Sequence, residues 1–379
     1  MTSRSLLNKY NKAFLGFAFI ILPWAMAGDI FFRPLFGEII LEYIKIFIII
    51  LTILYSSLNL SIQNLKWYKV LLLILLYTIC LNFYYNKSSI NLILYLIPFL
   101  FLFTNWEKAL YQFFTDQNKT LIIRYNFLFL FLVLLFTLAN TRYLENGMNL
   151  PQNIELGRHQ SSYVVLSLGL VFFSQKKIHK YFFIQVILLS YLLLDYQVKT
   201  IIITYLVLLL FFLWERYRTH MIYKKIIVVI STLAGLLLSY LVIKDFSNSE
   251  INILTSGRLY NYLERFEILA SISWKEVLFG TGYGADLLVT DQWNWAPKNS
   301  HSNFLRYIFE GGIITLSLII ILLKKMWSDN IINLKYIVLI IIGSSIFNTG
   351  ILTRPFPLLY VMMLIPFFYE KSYKFKSKL

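Results

Sequence analysis

Charge is scarce in this chain. Asp, Glu, Lys and Arg make up 14% of its 379 residues, against about 25% in ordinary soluble domains. With 58% hydrophobic residues, that scarcity argues against a soluble globular class. Cysteine is nearly missing too. The single Cys80 excludes an intrachain disulfide and a thiolate metal cluster. The four histidines form no group with Asp, Glu or Cys at metal-ligand spacing, and no nucleotide-binding loop occurs. Acidic residues are few, and the net charge is +16. The basic residues are dispersed between apolar runs rather than gathered in a patch. They therefore read as topology signals and contacts to anionic lipid, not as a nucleic-acid surface. A cleavable signal peptide is also not apparent. The first apolar run passes Pro23 into "MAGDIFF" and reads as a first span.

Aromatics and long apolar runs are what the chain has in quantity. Its 33 Phe and 27 Tyr suit a lipid-facing surface with aromatic belts. A crossing helix needs roughly 20 apolar residues. Runs near 13–28, 38–60, 68–84, 89–105, 122–140, 160–174, 181–196, 198–214, 225–243, 302–323, 336–351 and 355–370 meet or approach that length. The expectation is an all-α polytopic membrane protein of about 12 spans. With Arg4, Lys9 and Lys12 in the cytoplasm, most of the 35 basic residues fall in inner loops and the C-terminal tail, as the positive-inside rule requires. The organisation predicted is spans one to nine over 1–243, a long outer loop over 244–301, and three more spans with a tail over 302–379.

The long outer loop carries structure of its own. In "SGRLYNYLERFEILASISW", Leu259, Leu263, Phe266 and Ala270 fall on one helical stripe. Arg258, Tyr262 and Arg265 fall on another, at i, i+4 and i+7. The spacing predicts a small helical lid from which two guanidinium groups project. Such forks match phosphate oxygens in two-point geometry. The alternative is that they pair with Glu264 or Glu267, or reach toward the interface. "FGTGYG" (279–284) reads as a tight bend rather than a dinucleotide fingerprint, since no strand–turn–helix unit surrounds it.

His301 precedes the tenth apolar run, with Ser300 or Ser302 as a helix cap. Its ring titrates near neutrality and can take a proton from a hydroxyl; a polar residue closing a helix end is the other reading. His159 stands beside Arg158 in the other long outer loop, 141–159. Lys199 and Arg354 fall at outer span ends, where charges usually have a partner or a task. The outer face is thus cationic and histidine-bearing, suited to an anionic, lipid-anchored substrate that arrives already activated.

Four stretches resemble the O-antigen polymerase and O-antigen ligase superfamily of bacterial envelopes. "GRLYNYLERFEILASISWKEVLFGTGYG" is similar to the family's arginine-led helix and glycine-rich turn. "HSNFLRYIFEGGIIT" fits the ligase-type pattern through His301, Ser302, Gly312 and Thr315. "DYQVKTIIITYLVLL" sits where the family has an arginine opening a span, here Lys199. "RHQSSYVVLSLG" gives the polymerase-type spacing from Arg158 to Gly169. The similarity runs from about residue 150 onward.

The resemblance implies a glycosyltransferase of the inner membrane whose active face is periplasmic. Its donor would be a glycan on undecaprenyl diphosphate. Its acceptor would be a glycan or lipid A-core, with membrane lipids and a chain-length regulator as partners. No nucleic acid, metal or other cofactor is implied. His301 would be the general base and Arg258 would hold the leaving diphosphate. Arg158, Lys199, Tyr262, Arg265 and Arg354 would bind substrate. An ammonium at Lys199 keeps the charge but loses the bidentate fork. The polymerase branch is the one adopted, with ligase the alternative. A lipid-linked oligosaccharide flippase is the reading from another class; it predicts charges buried mid-span and repeated halves.

Overall fold

The computed structural model describes residues 3–27, 33–59, 68–85, 116–139, 141–143, 149–151, 158–175, 180–196, 198–217, 258–290, 293–298, 300, 302–328, 334–345 and 354–368, with the gap at residue 197. The described chain is mostly helical. Its helices are α1 (Ser3–Ala27), α2 (Arg33–Leu58), α3 (Tyr68–Tyr84), α4 (Asp116–Ala139) and α5 (Arg158–Gly169), which runs into a 3-10 turn (Leu170–Ser174). They continue as α6 (Lys180–Asp195), α7 (Lys199–Tyr217), α8 (Arg258–Ser271), α9 (Trp274–Phe279), α10 (Asn303–Trp327), α11 (Lys335–Ser345) and α12 (Pro355–Met363). The apolar runs of the sequence fall on these helices. The runs at 89–105 and 225–243 lie outside the described residues.

Two described helices are long and apolar enough to cross a membrane, Gln117–Ala139 and Asn303–Trp327. Others, such as Lys69–Tyr84 and Tyr181–Asp195, are apolar but shorter. Two short antiparallel ladders accompany the helices. β1 (Thr141–Tyr143) pairs antiparallel with β2 (Asn149–Pro151). β3 (Leu288–Thr290) pairs with β4 (Trp293–Lys298), so the second half of the lid is a hairpin. Its β-branched and aromatic residues favour strand, but the segment is too short for a clear alternating pattern.

The bundle packs around α5 and the 3-10 turn that follows it, where residues from Ser161 to Phe173 are buried. Pairwise contacts fix the direction of each neighbour. Tyr163 donates to the Ser344 carbonyl at 3.2 Å, while Phe173 stacks on Tyr336 at 6.2 Å. So α5 and α11 are antiparallel. A Cβ on Gly343 would meet Thr204 Oγ1 at 2.6 Å, while Phe211 meets Tyr336 edge-on at 5.3 Å. So α7 also runs against α11. Asn303 donates to Ser345 Oγ at 3.1 Å, which starts α10 at the end of α11. Arg354 stacks over Tyr163 at 4.5 Å, and Phe368 stacks on Tyr336 at 5.2 Å. The starts of α5, α7, α10 and α12 thus gather at one end, with the end of α11. At the opposite end Tyr336 donates to Glu215 at 2.7 Å, and Arg216 donates to the Gln175 carbonyl.

Candidate functional site at the lid end of the bundle

The lid is joined to the bundle through glycine. Helix α10 breaks at Gly312, whose φ is 70° and ψ −177°, a conformation close to glycine-only. In the turn before the break, the Phe309 carbonyl accepts from Thr281 N–H at 3.0 Å and the Glu310 carbonyl from Gly282 N–H at 2.9 Å. The Glu310 side chain accepts from Gly284 N–H at 2.9 Å and pairs with Arg306 at 3.0 Å. Arg306 in turn lies over the Tyr283 ring at 5.3 Å. Helix α3 holds the other side of the turn. Tyr77 donates to the Phe279 carbonyl at 2.8 Å, and Asn82 accepts from Tyr283 N–H at 2.8 Å. "FGTGYG" is therefore a docking turn, as the bend reading expected.

Past that turn, Asp286 is delivered to α8. Arg265 donates through Nε to Asp286 Oδ1 at 3.3 Å, through Nη2 to the Asp286 carbonyl at 3.0 Å and through Nη1 to Asn261 at 2.6 Å. Both charged side chains are buried. This corrects the expectation that Arg265 projects outward beside Arg258 to meet phosphate. Its guanidinium is held by an aspartate brought from another segment. The other Asp286 oxygen accepts from Ser300 N–H at 2.8 Å and from Ser300 Oγ at 2.9 Å. Burial pushes the Asp286 carboxyl above its ordinary range, and the bonds from Ser300 and Arg265 pull it back.

From Ser300 the polar line continues. The Ser300 hydroxyl also lies 2.9 Å from the Ser302 carbonyl, so its one proton is shared between that carbonyl and Asp286. Ser302 caps α10 by accepting from Leu305 N–H at 3.5 Å. Asn303 follows, buried and bonded to Ser345. Next to Ser345, the Ser344 carbonyl takes the Tyr163 hydroxyl, and Tyr163 carries Arg354 on its ring. One connected series of polar contacts thus joins α8, the glycine turn, the start of α10, the end of α11, α5 and the start of α12. Asn303 Oδ1 is a buried acceptor with no hydrogen-bond partner among the described residues, a condition that costs roughly 1–3 kcal/mol unless something else bonds it.

The sequence-predicted residues can now be placed. His301 lies outside the described residues, but its neighbours Ser300 and Ser302 are both fixed in this line. Arg158 is the first residue of α5 and Arg258 the first of α8; their side chains lie outside the described set. Lys199 opens α7 and is exposed. Arg354 is the N-cap residue of α12. Tyr262 is half-buried on α8. The starts of α5, α7, α10 and α12 therefore bring Arg158, Lys199, Arg354 and the residue after His301 to one end. Helix N-termini carry partial positive charge, which adds to that of Arg158, Lys199 and Arg354, while Asp195 at the end of α6 stands close to Lys199 in the chain. Asn261, Asn303, Tyr163 and Ser345 were not singled out from the sequence. Polar residues such as Ser344–Ser345 inside the apolar "IIGSSIF" were the available signal.

Among the described residues, no three His, Cys, Asp or Glu side chains could hold a metal ion. In comparison with known proteins, the chain matches no family model and no curated sequence.

Proposed function

We propose that this chain is a polytopic glycosyltransferase of a bacterial inner membrane, with about 12 spans. It moves a glycan from undecaprenyl diphosphate to a sugar hydroxyl at the periplasmic face, as an O-antigen polymerase does. The observation that carries the reading is the gathering of the helix starts at Arg158, Lys199, Ser302 and Arg354 at the lid end of one bundle, Ser302 being the residue that follows His301 in sequence. A diphosphate leaving group needs cations that are already in position, since electrostatic preorganisation usually contributes more than any other effect to the rate of such transfers.

In this mechanism His301 takes the proton of the acceptor hydroxyl. The hydroxyl oxygen forms the new bond to the anomeric carbon, and the bond from that carbon to the diphosphate oxygen breaks. The electron pair leaves on the diphosphate, where Arg258 meets it, with Arg158, Lys199 and Arg354 supplying further positive charge. Arg265 has no direct part, because Asp286 and Asn261 occupy its guanidinium. Its role is to hold Asp286, and through it Ser300, beside His301.

The ligase alternative is supported by His301, Ser302, Gly312 and Thr315, which fit the ligase-type pattern. A flippase is disfavoured because the predicted cations stand at one end of the bundle. The test is reconstitution of purified protein with an undecaprenyl-diphosphate-linked O-unit. Lengthened lipid-linked glycan supports the polymerase, and glycan on lipid A-core supports the ligase. Neither product from folded protein overturns the reading.

A further inference from the structure

Helix α8 is turned inside out for a helix in water. Its polar residues Asn261 and Arg265 are 0% exposed, while the apolar Leu263 and Phe266 are 46% and 54% exposed. Ala270, on the same stripe, is exposed as well, and the carboxylate of Glu267 borders the stripe along one edge, also exposed. A water-facing amphipathic helix shows the opposite pattern. The next helix continues the apolar surface. In α9, Trp274 is 69% exposed and Phe279 is exposed too. Lys275 sits at its start with Nζ 6.0 Å from the Trp274 ring centre.

This surface is continuous with the exposed side of α3. Leu73, Leu76, Ile79 and Phe83 of that helix are exposed. Two tyrosines tie it to the lid: Tyr77, midway along α3, donates to the Phe279 carbonyl at 2.8 Å, and Tyr85, just past its end, to the Gly280 carbonyl at 3.3 Å. Whatever solvates the upper part of α3 therefore reaches the outer faces of α9 and α8. Aromatic and lysine side chains side by side are the composition of a membrane–water interface.

We propose that α8 and α9 lie on the leaflet at the lid end, with Leu263, Phe266, Ala270 and Trp274 among the acyl chains and Lys275 at the headgroup phosphates. Such an in-plane helix binds through its buried apolar face plus attraction of cations to anionic lipid. The buried Arg265–Asp286 pair then has a second consequence. It holds the polar side of α8 against the protein, which leaves the apolar side for lipid. The proposal rests on the bundle itself being embedded in a bilayer.

Cys80, exposed on α3 and the sole cysteine, supplies a built-in control for that condition. A nitroxide on Cys80 is compared with nitroxides attached after Phe266→Cys and Trp274→Cys in a Cys80→Ser background. All are measured in phosphatidylglycerol-containing liposomes. Relaxation by oxygen, which concentrates in lipid, is set against relaxation by a water-soluble nickel chelate. The expected result is oxygen-dominated relaxation at Cys80, 266 and 274. Nickel-dominated relaxation at 266 or 274, with Cys80 still in lipid, overturns the lid placement alone. Weak relaxation by both reagents at 266 and 274 means that protein covers the stripe, and overturns it equally. Nickel-dominated relaxation at Cys80 overturns the embedded bundle, and the lid placement with it.

Discussion

Gly280 and Gly312 meet backbone to backbone, where the lid turn enters the break in α10. A Cβ on Gly280 would stand 2.5 Å from the Gly312 nitrogen, and one on Gly312 would stand 2.1 Å from the Leu278 carbonyl oxygen. Both have positive φ, 77° and 70°. Gly284 also has positive φ, 86°, but nothing lies within 4 Å of its would-be Cβ. The three positions separate strain from collision. A side chain in such a conformation costs roughly 1–3 kcal/mol. Gly284→Ala carries that cost alone. Gly312→Ala adds a clash with main chain that cannot rotate away. Thermal unfolding in detergent should therefore rank wild type, Gly284→Ala and Gly312→Ala in falling order. Equal loss in the two variants would mean that the lid and α10 are not interlocked here.

The Arg265–Asp286 pair gives a second ranking. Removing one partner of a buried ion pair costs roughly 3–5 kcal/mol, while replacing both with apolar residues of similar volume is far milder. Arg265→Ala should lower the unfolding temperature and the yield of folded protein sharply. Arg265→Met combined with Asp286→Leu should recover much of the loss. A double variant less stable than Arg265→Ala would show that Ser300 depends on the carboxylate more than Arg265 does.

The helices were legible in the sequence because apolar runs of this length leave few alternatives. The break in α10 was not, since the apolar pattern resumes at once after it in "IFEGGIITLSLIII"; Glu310 and the Gly311–Gly312 pair mark it. The β3–β4 hairpin was missed because Leu288–Thr290 is too short to alternate visibly. Arg265 was misread for a different reason. Helical spacing proposes partners on the same helix, whereas Asp286 arrives through a tertiary contact that the glycine turn creates. Of the candidate site, the sequence offers a set of cations and a histidine. The polar contacts that join their segments were not legible, because Asn303, Ser344 and Tyr163 have no spacing that relates them.

Topology can be checked at the two ends of α10. Under the proposed orientation Asn303 lies at the periplasmic face, and Trp327, followed by the lysine-bearing inner loop, at the cytoplasmic face. Alkaline phosphatase requires an oxidising compartment for its disulfides. A fusion after Lys298 should be active and one after Ser328 inactive. The opposite result would invert the scheme and move the lid to the cytoplasm.

Arg258 and Arg354 should respond differently to a change from guanidinium to ammonium. Arg258 is assigned to the diphosphate, where a planar fork makes two-point contact. Arg258→Ala should abolish most transfer, and Arg258→Lys should restore part of it. Arg354 stacks on Tyr163, a contact worth roughly 0.5–2 kcal/mol, so Arg354→Lys should lower thermal stability as well as transfer. Full activity of Arg258→Lys would remove two-point phosphate binding from the mechanism.

The proton acceptor is the remaining question, and the geometry narrows it. Asp286 and Asp291 follow the glycine turn and could compete as base; Glu310, nearer His301 in sequence, is held by Arg306 and by Gly284 N–H. Asp286 is buried, and each of its oxygens is engaged, one by Arg265 and the other by Ser300. It cannot reach a sugar hydroxyl without dismantling the lid. General-base help is worth roughly 100- to 10,000-fold. His301→Ala should therefore lower transfer by about that factor while the protein still accumulates and still binds the lipid-linked donor. Ser300→Ala removes the hydroxyl bond to Asp286 but keeps the N–H bond, so its loss should be smaller and should appear in kcat more than in KM. Near-normal turnover by His301→Ala would reduce the histidine to a polar residue at a helix start. With Asp286 committed, the base would then be sought at Asp291.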